Sequence, residues 1–207
     1  MSSLVLDLQK EVMKEDCDVL NLLRKAHLIA AKLDLKQFDE WIKSELNSYR
    51  NDSSIPEYRM VKGTLMGLDP YRGWLPIILS DKKREEKLCN LKIECPLSDF
   101  IELDKKSGTF NGYLDAELNS KLISECRPTQ CCLSCSTHQI KSIIEQVKNT
   151  ILEWTIKLEK EGILMEETPF NPEEKVSQYR VGFLDFLRGV GASLTAALIQ
   201  SKIQGLF

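Results

Sequence analysis

Histidine is scarce in this 207-residue chain, which has only two, and the common nucleotide-binding glycine motifs are missing. Neither GxxxxGK[ST] nor GxGxxG occurs, so no P-loop or dinucleotide fold is indicated. His27 and His138 lack an evident nucleophile partner, although the spacing leaves a Cys135–His138 pair open. We therefore assign no catalytic residue, expect no cofactor, and favour a protein that is not an enzyme.

The chain also lacks a strong excess of either charge, with 28 Lys and Arg against 31 Asp and Glu and a net charge of −3. No cluster of basic residues alternates with aromatic ones, so we do not expect nucleic acid as a partner. The first residues have no basic stretch ahead of an apolar run, which predicts no secretory signal and a cytoplasmic location. The seven cysteines should then be mostly reduced thiols.

Four of these cysteines lie close to a histidine in the string CRPTQCCLSCSTH. Zinc takes about four nitrogen or sulfur ligands, and this string supplies Cys126, Cys131, Cys132, Cys135 and His138. The usual two well-separated ligand pairs are missing, so we assign no metal site. Whether these residues bind a metal stays open, with buried or surface thiols and a redox-sensing thiol at a helix N-terminus as the alternatives.

Apolar residues at steps of three and four predict three helices within the first fifty residues. A predicted capping box of Asp34 and Gln37 opens the third. The strings YRMVKGTLMGL and WLPIIL, joined by the turn DPYRG, then predict a β-hairpin. Further on we predict a solvated charge run at SDKKREEK, short helices at PLSDFIEL and LDAELNSKLI, and a loop at KKSGTFNG.

The longest predicted helix follows a capping box of Ser136 and Gln139 and ends at Gly162. Prolines after it interrupt any continuous helix. The sequence thus predicts a mostly α-helical (α+β) domain with a small antiparallel hairpin over residues 1–165, a linker over 166–180, and a C-terminal apolar helix over 181–207.

The C-terminal helix, if formed, carries a small residue at every fourth position from Gly189 to Gly205. Small residues at this spacing let two helices approach closely, so we predict a helix for assembly or membrane contact. Its residues are Phe183, Phe186, Leu187, Gly189, Ser193, Leu194, Ala197, Leu198, Ser201 and Gly205. The longest uncharged run in this segment is residues 189–201. This run is shorter than the about 20 apolar residues that a membrane span needs. Either the helix packs on the protein or on other copies, or it is released and inserts into the membrane.

Four segments of the chain carry a family resemblance. They are LVLDLQKEV, LLRKAHLIAAKLDLKQFDEWIKSELNSY, IPEYRMVKGTLMGLDPYRGWLPI and IKSIIEQVKNTILEWTIKLEKEGI. In this order and spacing, over roughly residues 3 to 165, they resemble the AbiTii domain of bacterial abortive-infection proteins. The resemblance implies anti-phage defence, in which infected cells stop growing or die before the phage matures. It transfers no catalytic residue to this sequence.

These observations favour a non-enzymatic defence effector that acts through self-assembly into homo-oligomers, with a C-terminal helix that either packs with other copies or perturbs the inner membrane on activation. A phage trigger or a restraining protein is the further partner that such an effector needs. Two other hypotheses stay open, namely a nuclease and a regulatory interaction module for a separate toxin.

Overall fold

The structure is a computed structural model that describes residues 3–49, 55–104 and 108–165. The chain divides into two compact units, a helical unit of residues 1–57, 94–100 and 143–207 and a sheet unit of residues 58–93 and 101–142. Within the described residues the fold is α+β, as predicted. The predicted linker over 166–180 and the predicted helix over 181–207, with its site residues from Phe183 to Gly205, lie outside the described residues, so the proposed domain division stays a prediction.

The described ranges contain seven α-helices and five β-strands. The helices are α1 (Leu4–Val12), α2 (Val19–Lys32), α3 (Lys36–Asn47), α4 (Lys82–Leu88), α5 (Leu97–Asp104), α6 (Ala116–Cys126) and α7 (Thr137–Lys160). The strands are β1 (Met60–Asp69), β2 (Gly73–Pro76), β3 (Asn90–Lys92), β4 (Thr109–Tyr113) and β5 (Cys131–Ser136).

The sequence predictions fare differently along the chain. The three N-terminal helices, the β1–β2 hairpin, α5, α6 and α7 are confirmed. The charge run SDKKREEK is mostly exposed, as predicted, and forms most of helix α4, whereas the predicted loop KKSGTFNG contains part of β4. The capping box of Asp34 and Gln37 is wrong, because Leu35 caps α3 and makes no side-chain hydrogen bond there.

The helical unit is built on the apolar stripes of α1, α2, α3 and the part of α7 that begins at Ile143. Asp18 caps α2 by accepting hydrogen bonds from the backbone N–H groups of Leu20 and Asn21. In the core the ring of Phe38 lies 5.0 Å from that of Trp41 and 4.2 Å from that of Trp154, measured between centroids. Aromatic packing of this kind stabilises a core beyond simple area burial.

The sheet unit contains an antiparallel sheet in the order β2-β1-β5-β4, with β3 paired to the first residues of β1. The predicted hairpin is therefore one edge of a larger sheet. A hydrogen bond joins helix α6 to the start of β5: the side-chain oxygen of Asn119 accepts from the N–H of Cys131 at 3.0 Å. Arg84 on α4 forms two hydrogen bonds with the carboxylate of Glu125 on α6, at 2.8 and 3.0 Å.

The first turn of α7 differs from the prediction. The Gln139 amide does not close a capping box but bonds to the main chain of Lys62 on β1. The predicted end of the helix is confirmed by Gly162, which has a φ of +77° that suits a residue following a helix.

Among the helices of the described ranges, none is long and apolar enough to cross a membrane.

Candidate functional site

The cysteine cluster forms the interior of the sheet unit. Cys131, Cys132 and Cys135 all lie on β5 and are at most 2% exposed, whereas Cys126 ends α6 and is exposed. Burial raises the pKa of the Cys135 thiol to about 11, and it also raises the pKa of the thiols of Cys131 and Cys132. A raised pKa disfavours the thiolate, which is the form that reacts with oxidants and binds metals. The geometry therefore favours structural thiols over a redox sensor at the start of α7.

His138 is exposed in the first turn of α7, where its backbone N–H donates a 3.3 Å hydrogen bond to the hydroxyl of Ser136. The Cys135 thiol that precedes it is buried and donates instead to the carbonyl oxygen of Leu133. Among the described residues, no group of three or more His, Cys, Asp or Glu side chains is placed to hold a metal.

A polar cluster that the sequence did not predict links α2 to α3 in the helical unit. Nδ1 of His27 is within hydrogen-bond distance of Oδ1 of Asp39, and Nζ of Lys43 lies 2.6 Å from Oδ2 of the same carboxylate. Burial, the largest contribution, raises the pKa of Asp39, but hydrogen bonds and charge from Lys43 and His27 outweigh it and leave the pKa below its ordinary value. Asp39 therefore fixes the orientation of the His27 ring.

The β-hairpin presents two aromatic side chains and a proline to solvent. Tyr71 lies in the turn and is 96% exposed, while the side chains of Trp74 and Pro76 are exposed on β2. The turn itself is closed by Asp69, whose carboxylate accepts hydrogen bonds from the N–H groups of Tyr71 and Arg72, both at 2.9 Å. Trp74 therefore belongs to the surface of the sheet rather than to the packing of the turn.

The register of the strands assigns Trp74 to one face of the sheet. Directly paired residues have side chains on the same face, and the faces alternate along each strand. Pro76, Met66, Cys132 and Tyr113 are paired across β2, β1, β5 and β4 and therefore share a face with Trp74. The next row on this face is Thr64, Ser134 and Asn111.

Solvent reaches this face along most of its length, and we call it the open sheet face. Its residues are Met60, Lys62, Thr64, Met66, Leu68, Trp74, Pro76, Asn90, Lys92, Thr109, Asn111, Tyr113, Cys132, Ser134 and Ser136. All are exposed or half-buried except Cys132, which is 1% exposed. The opposite face carries buried side chains such as Val61, Leu65 and Leu133. Glycines at positions 63, 67 and 112 also lie on that opposite face.

The comparison with family models identifies the chain. The model of the AbiTii family matches residues 3–182. The chain belongs to the AbiTii family. This membership indicates a role in abortive-infection defence. No curated protein and no solved structure matches this AbiTii chain.

The AbiTii match extends past residue 165, where the resemblance ended in the sequence, and includes both units of the fold. It ends at residue 182, so all but the first two residues of the helix predicted over 181–207 lie beyond the matched part of the chain. The match thus identifies the body of this AbiTii protein and leaves the role of its C-terminal segment to proposal.

Proposed function

We propose that the chain is a non-enzymatic effector of abortive infection that acts through self-assembly of its C-terminal segment, residues 181–207. The observation that carries the proposal is a small residue at every fourth position from Gly189 to Gly205. In a helix these residues form one narrow stripe along which two backbones pack closely. Family membership supplies the biological setting in which such an assembly acts.

Two modes of action follow from the same stripe. In one, copies of the segment pack against each other in water and the assembled protein acts on a further target. In the other, the segment leaves the body on infection, several copies insert together into the inner membrane, and Lys202 faces a wet interior or reaches the interface. In the second mode the protein is cytoplasmic at rest and moves to the membrane on activation by a phage trigger or on loss of a restraining protein.

The first experiment compares the full chain with a form that lacks residues 180–207, by mass in solution and by dye release from anionic liposomes. Dye release by the full chain alone supports the membrane mode, and loss of oligomeric mass without dye release supports assembly in water. If truncation changes neither quantity, the proposal fails.

Point substitutions within the segment give a sharper version of this experiment. Gly189→Leu and Ala197→Leu place bulk on the stripe and should abolish assembly and toxicity together. Ala196→Leu makes the same chemical change one position off the stripe and should leave both intact. Equal losses from Ala196→Leu and Ala197→Leu would contradict helix pairing through the stripe.

A second candidate function, an enzyme such as a nuclease, is favoured by one observation, the His27–Asp39 pair. A histidine oriented by a carboxylate is the arrangement of a general base, and the His27 side chain is 40% exposed. Expression in bacteria separates the two functions. An enzyme would lose toxicity with His27→Gln while keeping its mass in solution, whereas the proposed effector keeps both. A regulatory module would have no toxicity when expressed alone.

A further inference from the structure

The two units of the fold carry opposite charge, which the net charge of the whole chain conceals. Residues 58–93 and 101–142 contain 13 Lys and Arg against 9 Asp and Glu, a formal charge of +4. The remainder of the chain contains 15 against 22, a formal charge of −7. The formal charge of the sheet unit is therefore positive within an acidic protein, and Lys105 and Lys106, which lie outside the described residues, supply half of it.

The charged side chains of the open sheet face are all basic. Lys62 and Lys92 lie on it and are exposed, and the strands contribute no Asp or Glu to it. Within the ranges that the structure describes, neither ammonium group is engaged in an ion pair. Both lysines are thus available to phosphate groups.

Two aromatic rings stand near opposite edges of the same face. Trp74 on β2 is 38% exposed and Tyr113 on β4 is 72% exposed. From the strand spacing their backbone positions are about 15 Å apart. Among the described residues neither ring is stacked on another aromatic side chain. Exposed rings on an antiparallel sheet are platforms on which unpaired bases stack.

Leu68, Met66 and Cys132 lie between the two rings, and a polar row of Thr64, Ser134 and Asn111 follows on the side toward Lys62. Thr64 and Asn111 are exposed, and their hydroxyl and amide groups can exchange hydrogen bonds with base edges or sugars. From these observations we infer, contrary to the expectation from the sequence alone, that the open sheet face binds single-stranded nucleic acid, with bases stacked on Trp74 and Tyr113 and phosphates paired with Lys62 and Lys92. This binding is separate from assembly through residues 181–207 and gives the sheet unit a sensing role.

A second copy of the chain fits this face less well. Protein interfaces are depleted in lysine relative to the rest of the surface, whereas this face exposes Lys62 and Lys92. In a two-fold symmetric pair each face meets an identical face, so lysines would meet a face that supplies no carboxylate. Single-stranded nucleic acid satisfies both the charge and the stacking surfaces.

The test uses the purified full chain and fluorescein-labelled oligouridylate and oligothymidylate of about 12 nucleotides, a length within the range of known single-strand sites. Anisotropy should give a dissociation constant of about 1 to 100 µM that weakens with salt. Trp41 and Trp154 are 7% and 0% exposed, so quenching of tryptophan fluorescence on binding reports Trp74. This quenching is measured on the unaltered protein and does not depend on any variant folding.

Substitutions then locate the site. Trp74→Ala with Tyr113→Ala should weaken binding by about tenfold or more, since each stacked base is worth about 1–3 kcal/mol. Lys62→Glu with Lys92→Glu should weaken it and flatten the salt dependence by about 1.4 in log–log slope. The controls are Tyr71→Ala, an exposed tyrosine in the turn, and Lys36→Glu in the helical unit. Both should leave the dissociation constant within about twofold of the unaltered value.

Three results would overturn the inference. The first is the absence of binding at about 1 mM protein, a concentration above ordinary non-specific dissociation constants. The second is binding that the substitutions on the face leave unchanged. The third is a change in the mass in solution when these substitutions are made and no nucleic acid is bound. The last result would assign the face to contact between copies. None of them bears on dye release or on the Ala197→Leu variant, so this inference and the proposed function fail separately.

Discussion

The side-chain amide of Gln139 on α7 pairs with the main chain of Lys62 on β1, donating to its carbonyl oxygen and accepting from its N–H, both at 2.8 Å. An amide offers one donor and one acceptor just as a strand backbone does. Gln139 therefore extends the β1–β5 pairing by one residue after β5 has ended and α7 has begun.

Gln139→Glu should lower the free energy of unfolding by about 1–2 kcal/mol, because a carboxylate cannot donate to the Lys62 carbonyl and repels it. The measurement is urea denaturation followed by circular dichroism. Gln37→Glu is the matched control, since it makes the same change in the first turn of α3 and a carboxylate is favourable near a helix N-terminus. Equal stability of the two variants would mean that the amide pair contributes nothing.

Asp39 should make the stability of the protein depend on pH in acid. Its folded pKa lies below the ordinary value of 3.8, so its contribution is present above that pH and is lost as pH falls through the folded pKa. Asp39→Asn should therefore cost about 1 kcal/mol at neutral pH and almost nothing near the folded pKa. Thermal unfolding across pH measures the difference. Glu40→Gln, an exposed acid on the same helix, should show no such trend, and a constant cost of Asp39→Asn would refute the assignment.

Gly63 tests the packing between β1 and β5. A Cβ added at Gly63 would lie 2.7 Å from the Sγ of Cys135 and 3.2 Å from the Cβ of Leu133. Gly63→Ala should destabilise the fold by about 1–3 kcal/mol through overpacking. Cys135→Ala removes the sulfur, so the double variant should cost less than the sum of the single ones in a double-mutant cycle. Additive costs would show that the clash is relieved elsewhere.

The cysteines should separate by reactivity. Cys126 is exposed and should be alkylated first by iodoacetamide, whereas Cys131, Cys132 and Cys135 should react only on unfolding, since burial raises the pKa of each thiol. Mass spectrometry of the peptides gives the order of modification. Cys126→Ser should remove the fast phase and leave the slow one. Early alkylation of Cys135 in the folded protein would contradict the buried arrangement.

Much of the helical unit was predictable because its signals are local. The apolar stripes of α2 and α7 repeat at the helical period within a single element, and Gly162 ends α7 through its own backbone freedom. The β1–β2 hairpin was predictable for the same reason, since DPYRG specifies the turn between two adjacent strands. The capping box predicted before α3 shows the limit of local sequence signals. Asp34 and Gln37 match the motif, but the N-cap residue of α3 is Leu35.

The rest of the sheet was not predictable, because strands depend on partners that are distant in sequence. The string CCLSCS has no alternation of apolar and polar residues, yet it forms β5 because β1 and β4 pair with it on both sides. Part of β4 lies in a string that reads as a loop, since its glycine and asparagine usually mark turns. The orientation of His27 by Asp39 likewise requires two helices to meet.

The sequence by itself determined every helix except α4, the hairpin turn and the family, because periodic stripes, turn residues and the order of segments are all written in consecutive residues. Only the tertiary structure decided that buried thiols fill β5, that Trp74 and Tyr113 share one open face, and that Lys62 and Lys92 lie on that face without a carboxylate. The physical reason is that pairing between strands, and the burial that follows from it, join residues that no local pattern connects.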